Sequence, residues 1–306
     1  MRYTYKAYAK INLVLGVGML REDNFHKIET IYHSLDLHDT LHFEKNEADY
    51  HRLSASGLDA ENVPTDSSNL LIRGIERLIP NPPFYLDMEI VKGIPTAGGM
   101  AGGSADCAAG LIAANEIYEL GKSTEELCAI AAELGSDIPF CVVGGSQYGT
   151  GRGEILEEQP CERTYHWVVA VSPVGLSTPE VFRKFDEMNI SHEAFMHMTM
   201  GNVYRQTLER AFNAPTYEGS VLQLAQLMAN DLERPALELR PDLKETLAIG
   251  KEAGAMRAMI SGSGPTCIFL AADEAAGDKL LEAFENEGIT AYKAQSIDRG
   301  VERVQA

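Results

Sequence analysis

Positive charge is scarce in this chain. Its 306 residues hold 26 Lys+Arg against 45 Asp+Glu, a formal net charge of −19. A surface that acidic repels DNA, RNA and anionic membranes, so none of these is expected as a partner. Any anionic substrate must find its positive potential locally, from helix N-termini, a few Lys or Arg, or a metal ion. Cysteine is sparse as well: Cys107, Cys128, Cys141, Cys161 and Cys267 are odd in number and form no CxxC pair. Free thiols in a reducing compartment account for them better than disulfides or a zinc site. His33, His38 and His42 share one stretch, but no cysteine and no HExxH accompanies them, so no metal cluster is read there. No run reaches the ~18–20 uninterrupted apolar residues of a membrane span. The opening MRYTYKAYAKINLVLGV lacks the charged-then-apolar pattern and small-residue cleavage site of a signal peptide. The expected location is the cytoplasm.

Hydrophobic residues make up 45% and charged residues 23%, enough apolar material for a packed core. The length suits two domains, and Pro160–Arg163 is a plausible junction, giving 1–160 and 161–306. Alternation over Tyr3, Tyr5, Ala7 and over Ile11, Leu13, Leu15, Val17 predicts strands. Ile28–Leu37 and Asp39–Glu44 read as a further pair, and Phe84–Val91 and Cys141–Tyr148 as later strands. Asn69–Leu78 has helical spacing and is halted by Pro80, Pro82 and Pro83. Ser123 and Glu126 form a capping box for a helix ending near Gly135. In the second half, helices are expected over Glu180–Glu187, Gly219–Met228, Leu243–Glu252 and Gly277–Glu287. Strands are expected over His166–Ser172, Ala258–Ser261, Thr266–Ala271 and Ala291–Ser296. Antiparallel-looking strands mixed with helices indicate two α+β domains rather than a doubly wound sheet.

The strongest chemical signal is Pro95-Thr96-Ala97-Gly98-Gly99-Met100-Ala101-Gly102-Gly103-Ser104-Ala105. Its glycines remove Cβ atoms where the backbone must turn sharply and approach a ligand. The segment runs into a small-residue helix, expected from about Ser104 to Tyr118. The first N–H groups of such a helix have no intrahelical partner and suit phosphate oxygens. Ser104, at or near the N-cap, would add a hydroxyl for phosphate or Mg²⁺. No GK[ST] follows, so this is not a Walker A loop, and it is not a dinucleotide GxGxxG. The separate Gly149-Thr150-Gly151-Arg152-Gly153-Glu154 reads by itself more as a tight turn than as a ligand loop.

These residues carry a resemblance. The glycine segment is similar to the phosphate loop of the GHMP kinases, the superfamily of galactokinase, homoserine kinase and mevalonate kinase. Two further segments match in order: Ala9-Lys10-Ile11-Asn12-Leu13, and Ile260-Ser-Gly262-Ser263-Gly264-Pro-Thr. Arg21-Glu-Asp-Asn24-Phe25-His26, Leu35-x-Leu-x-Asp39, Gly135-Ser-Asp137-Ile-Pro139-Phe and Asn230-Asp-Leu-Glu233 narrow the resemblance. They point to the branch whose substrate carries a cytidine diphosphate on methylerythritol, in the non-mevalonate isoprenoid pathway. The likeness covers nearly the whole chain.

The resemblance implies a ribosomal-protein-S5-like N-terminal domain against a ferredoxin-like C-terminal one, with substrates in the cleft between them. It implies transfer of the ATP γ-phosphoryl to the 2-hydroxyl of the methylerythritol moiety, with Mg²⁺ as companion and a monomer or weak homodimer as assembly. Residues 95–105 would bind ATP. Asp137 would act on the acceptor hydroxyl, Lys10 would pair with it and neutralise phosphoryl charge, and Asn12 would hold the hydroxyl or the carboxylate. An ion pair with Lys10 would keep Asp137 an acceptor and weaken it as a free base, leaving positioning to dominate. Phe25 and Phe182 would stack on cytosine, with His26 at the base edge and Gly262 and Ser263 closing the region from the second domain. Read as residues alone, Lys10 also suits the solvated side of a half-buried strand. Asp137 suits a helix cap or Asx turn, Phe25 and Phe182 core packing, and Gly262–Gly264 a strand–strand turn.

Three departures from the family pattern stand out. Phe25 replaces Tyr, which keeps a ring face but loses a hydroxyl. Asn24 replaces Gly, and Asn tolerates a left-handed turn. Ala105 replaces the second Ser of a Ser-Ser pair. Rival readings are a homoserine- or mevalonate-type kinase and an inactive ligand-sensing regulator on the same fold.

Overall fold

A computed structural model describes residues 1–96, 98–188 and 203–304. Ala97 lies outside the described residues. The first half is organised by a long hairpin, β1 (Arg2–Leu20) and β2 (His26–Lys45). The two predicted strands at 28–44 are thus one, because β2 bends through register shifts against β1 instead of breaking. Asn24 turns the hairpin tip with φ 62°, the left-handed conformation Asn tolerates.

Strand β3 (Arg52–Gly57), helix α1 (Leu70–Leu78) and strand β4 (Leu86–Lys92) follow. β3 and β4 pair in parallel across α1, a βαβ unit, and β4 continues onto β2. Helix α2 (Gly102–Ile117) lies against α1, β1 and β2 and buries Ala105, Cys107, Ala108, Ala109, Ala113 and Ala114. Its small side chains give it no apolar stripe, because it is covered on nearly every side. Helices α3 (Thr124–Leu134) and α4 (Ile138–Val143) complete this face, and Ser123 and Glu126 form the capping box. Strands β5 (Ser146–Thr150) and β6 (Ile155–Glu158) then extend β2.

Two expectations are corrected in this half. The apolar run beginning at Cys141 is not strand. Residues 138–143 are helical, and the strand starts only at Ser146, past Gly144 and Gly145. A short apolar run carries no period by which to tell helix from strand. Helix α2 begins at Gly102, with Ala101 as N-cap at φ 59°. Ser104 is therefore inside the first turn and not its cap.

The second half begins with β7 (His166–Ala170) and helix α5 (Thr178–Met188). Helices α6 (Val203–Phe212) and α7 (Tyr217–Leu227) and the short strand β8 (Ala229–Asn230) follow. Next come α8 (Glu233–Leu239), α9 (Leu243–Glu252), β9 (Arg257–Ile260), β10 (Cys267–Ala271), α10 (Glu274–Asn286) and β11 (Ala291–Ile297). The order β11-β7-β10-β9 with helices between is a ferredoxin-like antiparallel layer. The last strand, β12 (Glu302–Val304), returns to pair with β1.

The two layers join where β11 pairs with β2 at Ser296–Leu35 and Ile297–Ser34. His33 is buried at this seam. Its Nδ1 bonds Ser146 Oγ, and its Nε2 lies 2.6 Å from Ser296 Oγ, which also accepts the Trp167 indole N–H at 3.0 Å. Four strands thus meet in one polar network. A neutral imidazole satisfies it, and burial lowers the His33 pKa from 6.5 to about 4. The stability contribution is complete above the ordinary value of 6.5. It is lost as pH falls, because the unfolded chain takes up a proton that the fold refuses. Between pH 6.5 and about 4 this costs on the order of 3 kcal/mol. Urea unfolding of His33→Gln should lie below wild type at pH 7.5 and converge on it by pH 4.5. A gap that stays constant with pH would remove this role from His33.

Candidate active site

One cleft of about 1000 Å³ lies at the junction of the two halves. Its lining includes Lys10, Asn12, Phe25, His26, Asp137, Phe182, Gly262 and Ser263. It also includes Pro95, Thr96, Gly98, Gly99 and Ala101 to Ser104 of the glycine segment. Residues far apart in sequence therefore share one space. Met100 and Ala105 do not face it: both side chains are buried in the core beneath the loop.

The glycine segment leaves β4 and enters α2. The first α-helical bond of α2 runs from Ala105 N–H to Ala101 O at 2.8 Å. The N–H groups of Gly102, Gly103 and Ser104 thus precede any intrahelical acceptor, and the helix dipole points its positive end at the cleft. Ala at the N-cap offers no side-chain oxygen to occupy them. At Gly103 a Cβ would meet nothing within 4 Å, so the missing side chain leaves cleft space open. Gly98 and Gly99 are small for another reason. A Cβ on Gly98 would lie 2.7 Å from Thr266 Oγ1, and one on Gly99, at φ 72°, 2.7 Å from Ser261 O. The β9–β10 loop of the second half sits directly on them.

Lys10 lies on β1 with its side chain only 5% exposed. Its Nζ donates to Asn12 Oδ1 at 2.9 Å and stands 3.4 Å from Asp137 Oδ2. Asn12 Nδ2 donates to Thr30 Oγ1 at 2.8 Å, and Thr30 donates to Val14 O at 2.7 Å. The Lys10 N–H donates to Met100 O at 3.2 Å, tying β1 to the glycine segment. Asp137 is the N-cap of α4 by position, yet its side chain makes no capping bond. It accepts instead from Tyr32 Oη at 3.0 Å. Burial first, and the Asp137 carboxylate second, hold the Tyr32 phenol well above its ordinary pKa, so it stays a donor. From the second half, Asn230 Nδ2 donates to Ile260 O and Gly262 O, each at 2.8 Å. That places the Gly262 Cα where a Cβ would stand 3.3 Å from Asn12 Oδ1. Ser263 Oγ lies 2.7 Å from Thr178 Oγ1 at the start of α5.

The far end of the cleft is aromatic. Phe25 is 50% exposed at the hairpin tip, and the Arg152 guanidinium lies 5.1 Å from its ring centroid. Phe182 stacks on the His26 ring at 5.4 Å with 22° between planes. His26 Nδ1 donates to Gly18 O at 2.8 Å, and Nε2 lies 3.3 Å from Asp186 Oδ1, so the ring is fixed from both sides.

Sequence reasoning missed Tyr32, which reads as an ordinary core position of a strand. No sequence signal marked it; in the structure the glycine turn closes over it, where a Cβ on Gly153, at φ 108°, would run into Tyr32 Oη. It also missed a buried cluster beneath the glycine segment, where Lys92 meets Asp39 and Asp106. Among the described residues no group of three or more His, Cys, Asp or Glu could hold a metal. Among them, too, no helix is long and apolar enough to cross a membrane.

A β1–β2 frame, a glycine loop opening a helix and a ferredoxin-like second layer around one cleft define a class of small-molecule kinase. Family models agree: residues 69–145 match the GHMP kinases N-terminal domain and 209–290 the GHMP kinases C-terminal domain. The chain belongs to the GHMP kinases. It is 40% identical over 295 residues to the 4-diphosphocytidyl-2-C-methyl-D-erythritol kinase of Cutibacterium acnes, covering 94% of this chain and 91% of that one. It is 42% identical over 286 residues to the enzyme of the same name from Rhodococcus jostii, covering 93% and 88%. Among solved structures, a 4-(cytidine 5'-diphospho)-2C-methyl-D-erythritol kinase superposes with TM-score 0.76 at 26% identity over 97% of this chain and 99% of that one. A homoserine kinase from Cytophaga hutchinsonii superposes at 0.73 with 17% identity over 99% and 97%, which shows the shared fold.

Two glycines separate packing from ligand space. Gly153→Ala drives a methyl onto the Tyr32 hydroxyl at a positive φ and should cost about 1–3 kcal/mol of stability. Gly103→Ala, inside a helix and facing open space, should keep or raise the melting temperature while weakening ADP binding. Thermal melts and ADP titrations of both variants check this. Equal ADP affinity for Gly103→Ala and wild type would refute the reading of that space.

Proposed function

We propose that this chain is an ATP-dependent kinase that phosphorylates the 2-hydroxyl of 4-diphosphocytidyl-2-C-methyl-D-erythritol. The observation that carries this is the Lys10–Asp137 pair, which stands in the same cleft as the glycine segment on one side and the Phe25–His26–Phe182 cluster on the other. Such a cleft suits a nucleotide triphosphate at one end and a cytidine at the other, with the two reacting groups meeting between them. Residues 1–160 and 161–306 are the two domains of this reading, and a monomer or weak homodimer its assembly.

Phosphoryl transfer asks the protein mainly to position groups and to neutralise developing charge. The N–H groups of residues 102–104 would hold phosphate oxygens. Lys10, fixed by Asn12, would face the transferring phosphoryl. Asp137 is held by Tyr32 on one oxygen and by Lys10 near the other. It would accept the hydrogen bond of the 2-hydroxyl, orient its lone pair, and receive its proton as the new P–O bond forms and the bond from the γ-phosphorus to the β-phosphate oxygen breaks, releasing ADP. Asn12 would bond the same hydroxyl or its neighbour. Stacking of cytosine on Phe25 and Phe182, with His26 at the base edge, would give about 1–3 kcal/mol per ring.

The donor set fits Mg²⁺ carried by ATP. Ser104 supplies one hydroxyl oxygen facing the cleft, and Mg²⁺ takes its remaining ligands readily from phosphates and water. When bound, the ion would neutralise phosphate charge.

Three measurements on purified protein test the reading. Asp137→Ala should lower kcat by about 10²–10⁴-fold. Phe182→Ala should raise KM for the cytidyl substrate by roughly 5- to 150-fold with KM for ATP unchanged. Turnover of homoserine or mevalonate, with none of the cytidyl substrate, would overturn the proposal in favour of another GHMP kinase. Unchanged turnover in Asp137→Ala would overturn the mechanism.

A further inference from the structure

Beneath the glycine segment lie three charged side chains that the reaction as described does not use. Lys92 at the end of β4, Asp39 on β2 and Asp106 on α2 are 3%, 0% and 5% exposed. Lys92 Nζ donates to Asp39 Oδ2, and to Asp106 Oδ2 at 3.0 Å. Asp39 Oδ1 also accepts the N–H of Gly93 at 2.7 Å and of Ile94 at 2.9 Å. The start of the segment is therefore held by Asp39. Its end is held by Asp106, one turn into α2, through the same ammonium. A Cβ on Gly102 would stand 3.1 Å from Lys92 Nζ, so the helix start rests on that ammonium.

The two carboxylates are not equivalent. Asp39 accepts three hydrogen bonds, from Lys92 Nζ and from the N–H groups of Gly93 and Ile94. Asp106 accepts one, and its Oδ1 is buried with no partner. One ammonium balances one carboxylate. A second bare carboxylate beneath a phosphate site would be buried unpaired charge. Resting on the reading of residues 95–105 as the nucleotide site, we propose that Asp39, Lys92 and Asp106 form a clasp that positions the glycine segment, with Asp39 as its fully bonded acceptor and Asp106 a neutral acid. Burial and the neighbouring Asp39 raise the Asp106 pKa well above its ordinary value, in the same direction.

The proposal makes the two aspartates respond differently to the same substitution. Asp106→Asn replaces a neutral acid by a neutral isostere that still accepts from Lys92. Asp39→Asn removes the charge that three donors share. ADP binding and steady-state kinetics are measured on both, with Asp106→Ala as the cavity control. Asp106→Asn should hold Kd for ADP and KM for ATP within about twofold, and Asp106→Ala should raise both about tenfold or more with kcat less affected. Asp39→Asn should raise both by at least as much. If Asp39→Asn fails to fold, the contrast between Asn and Ala at 106 still decides. In infrared difference spectra, the carbonyl stretch of a protonated carboxylic acid should be present in wild type and gone in Asp106→Asn. The clasp is overturned if Asp106→Asn loses ADP as badly as Asp106→Ala, if Asp106→Ala is silent, or if no protonated-acid band disappears. Failure of wild type itself to bind ADP would instead sink the nucleotide-site reading.

Discussion

The ammonium of Lys10 is almost wholly buried in the wall of the cleft, and much of the surrounding architecture answers to it. A buried charge with no partner is among the costliest features a fold can carry. Here the charge is met by Asn12 on its own strand and by Asp137 from the start of α4. Each partner is fixed in turn, Asn12 by Thr30 and Asp137 by Tyr32. Both of these lie on β2, so the β1–β2 hairpin supplies the frame. The Lys10 backbone bonds Met100, and Gly262 comes close to Asn12 from the other half. Loss of either partner would leave the ammonium, only 5% exposed at the cleft wall, with one protein partner instead of two. The network is therefore both a stability constraint and the reason the reactive groups are pre-positioned.

An acidic chain that takes polyanions needs its positive potential from somewhere, and the cleft's cations give little of it freely. Lys92 is matched by Asp39 and Asp106, and Arg152 lies 3.5 Å from Glu154. Arg183 is more than half exposed beside Glu180 and Glu187, where pairs are weak and screened. Among the described residues, what remains is Lys10, which shares its charge with Asp137, and, above all, the backbone N–H groups at the start of α2. Those donors are part of the fold, carry no side-chain entropy and cannot swing away to the acidic surface. A net charge of −19 is compatible with such a site because oriented dipoles act over a few ångströms, within the range that salt does not screen.

Much of the frame was legible in the sequence, for reasons that differ by element. Alternation put Lys10 and Asn12 on one side of a strand, and the structure joins them by a hydrogen bond. The Ser123–Glu126 box announced α3 because its chemistry is local. The start of α8 was not seen: Pro235 sits in its first turn, where proline is tolerated. The end of α4, from Cys141, was taken for strand because a short apolar run carries no period. Within the site, Asp137 stood out only through family likeness, since a polar residue before a proline is an ordinary turn. Tyr32 and the Lys92 cluster were invisible for a deeper reason. Their meaning depends on partners 105, 53 and 14 residues away, and spacing along the chain does not encode such distances.

The glycines of the segment at 98–103 show how one motif can serve two ends. A loop that must bind phosphate could use glycine only for ligand access. Here Gly98 and Gly99 are pressed by Thr266 and Ser261 from the second half, and Gly103 alone of these looks onto unfilled cleft. Any side chain at 98 or 99 would push the β9–β10 loop away, and with it Gly262 and its close approach to Asn12. The Lys10 centre and the phosphate-binding N–H groups are therefore coupled through the contact between the halves. That coupling explains why the molecule joins its two layers by a short strand pairing and a buried histidine network. A cleft whose two walls are in such close contact, with no room for a Cβ at Gly98 or Gly99, needs a rigid seam behind it.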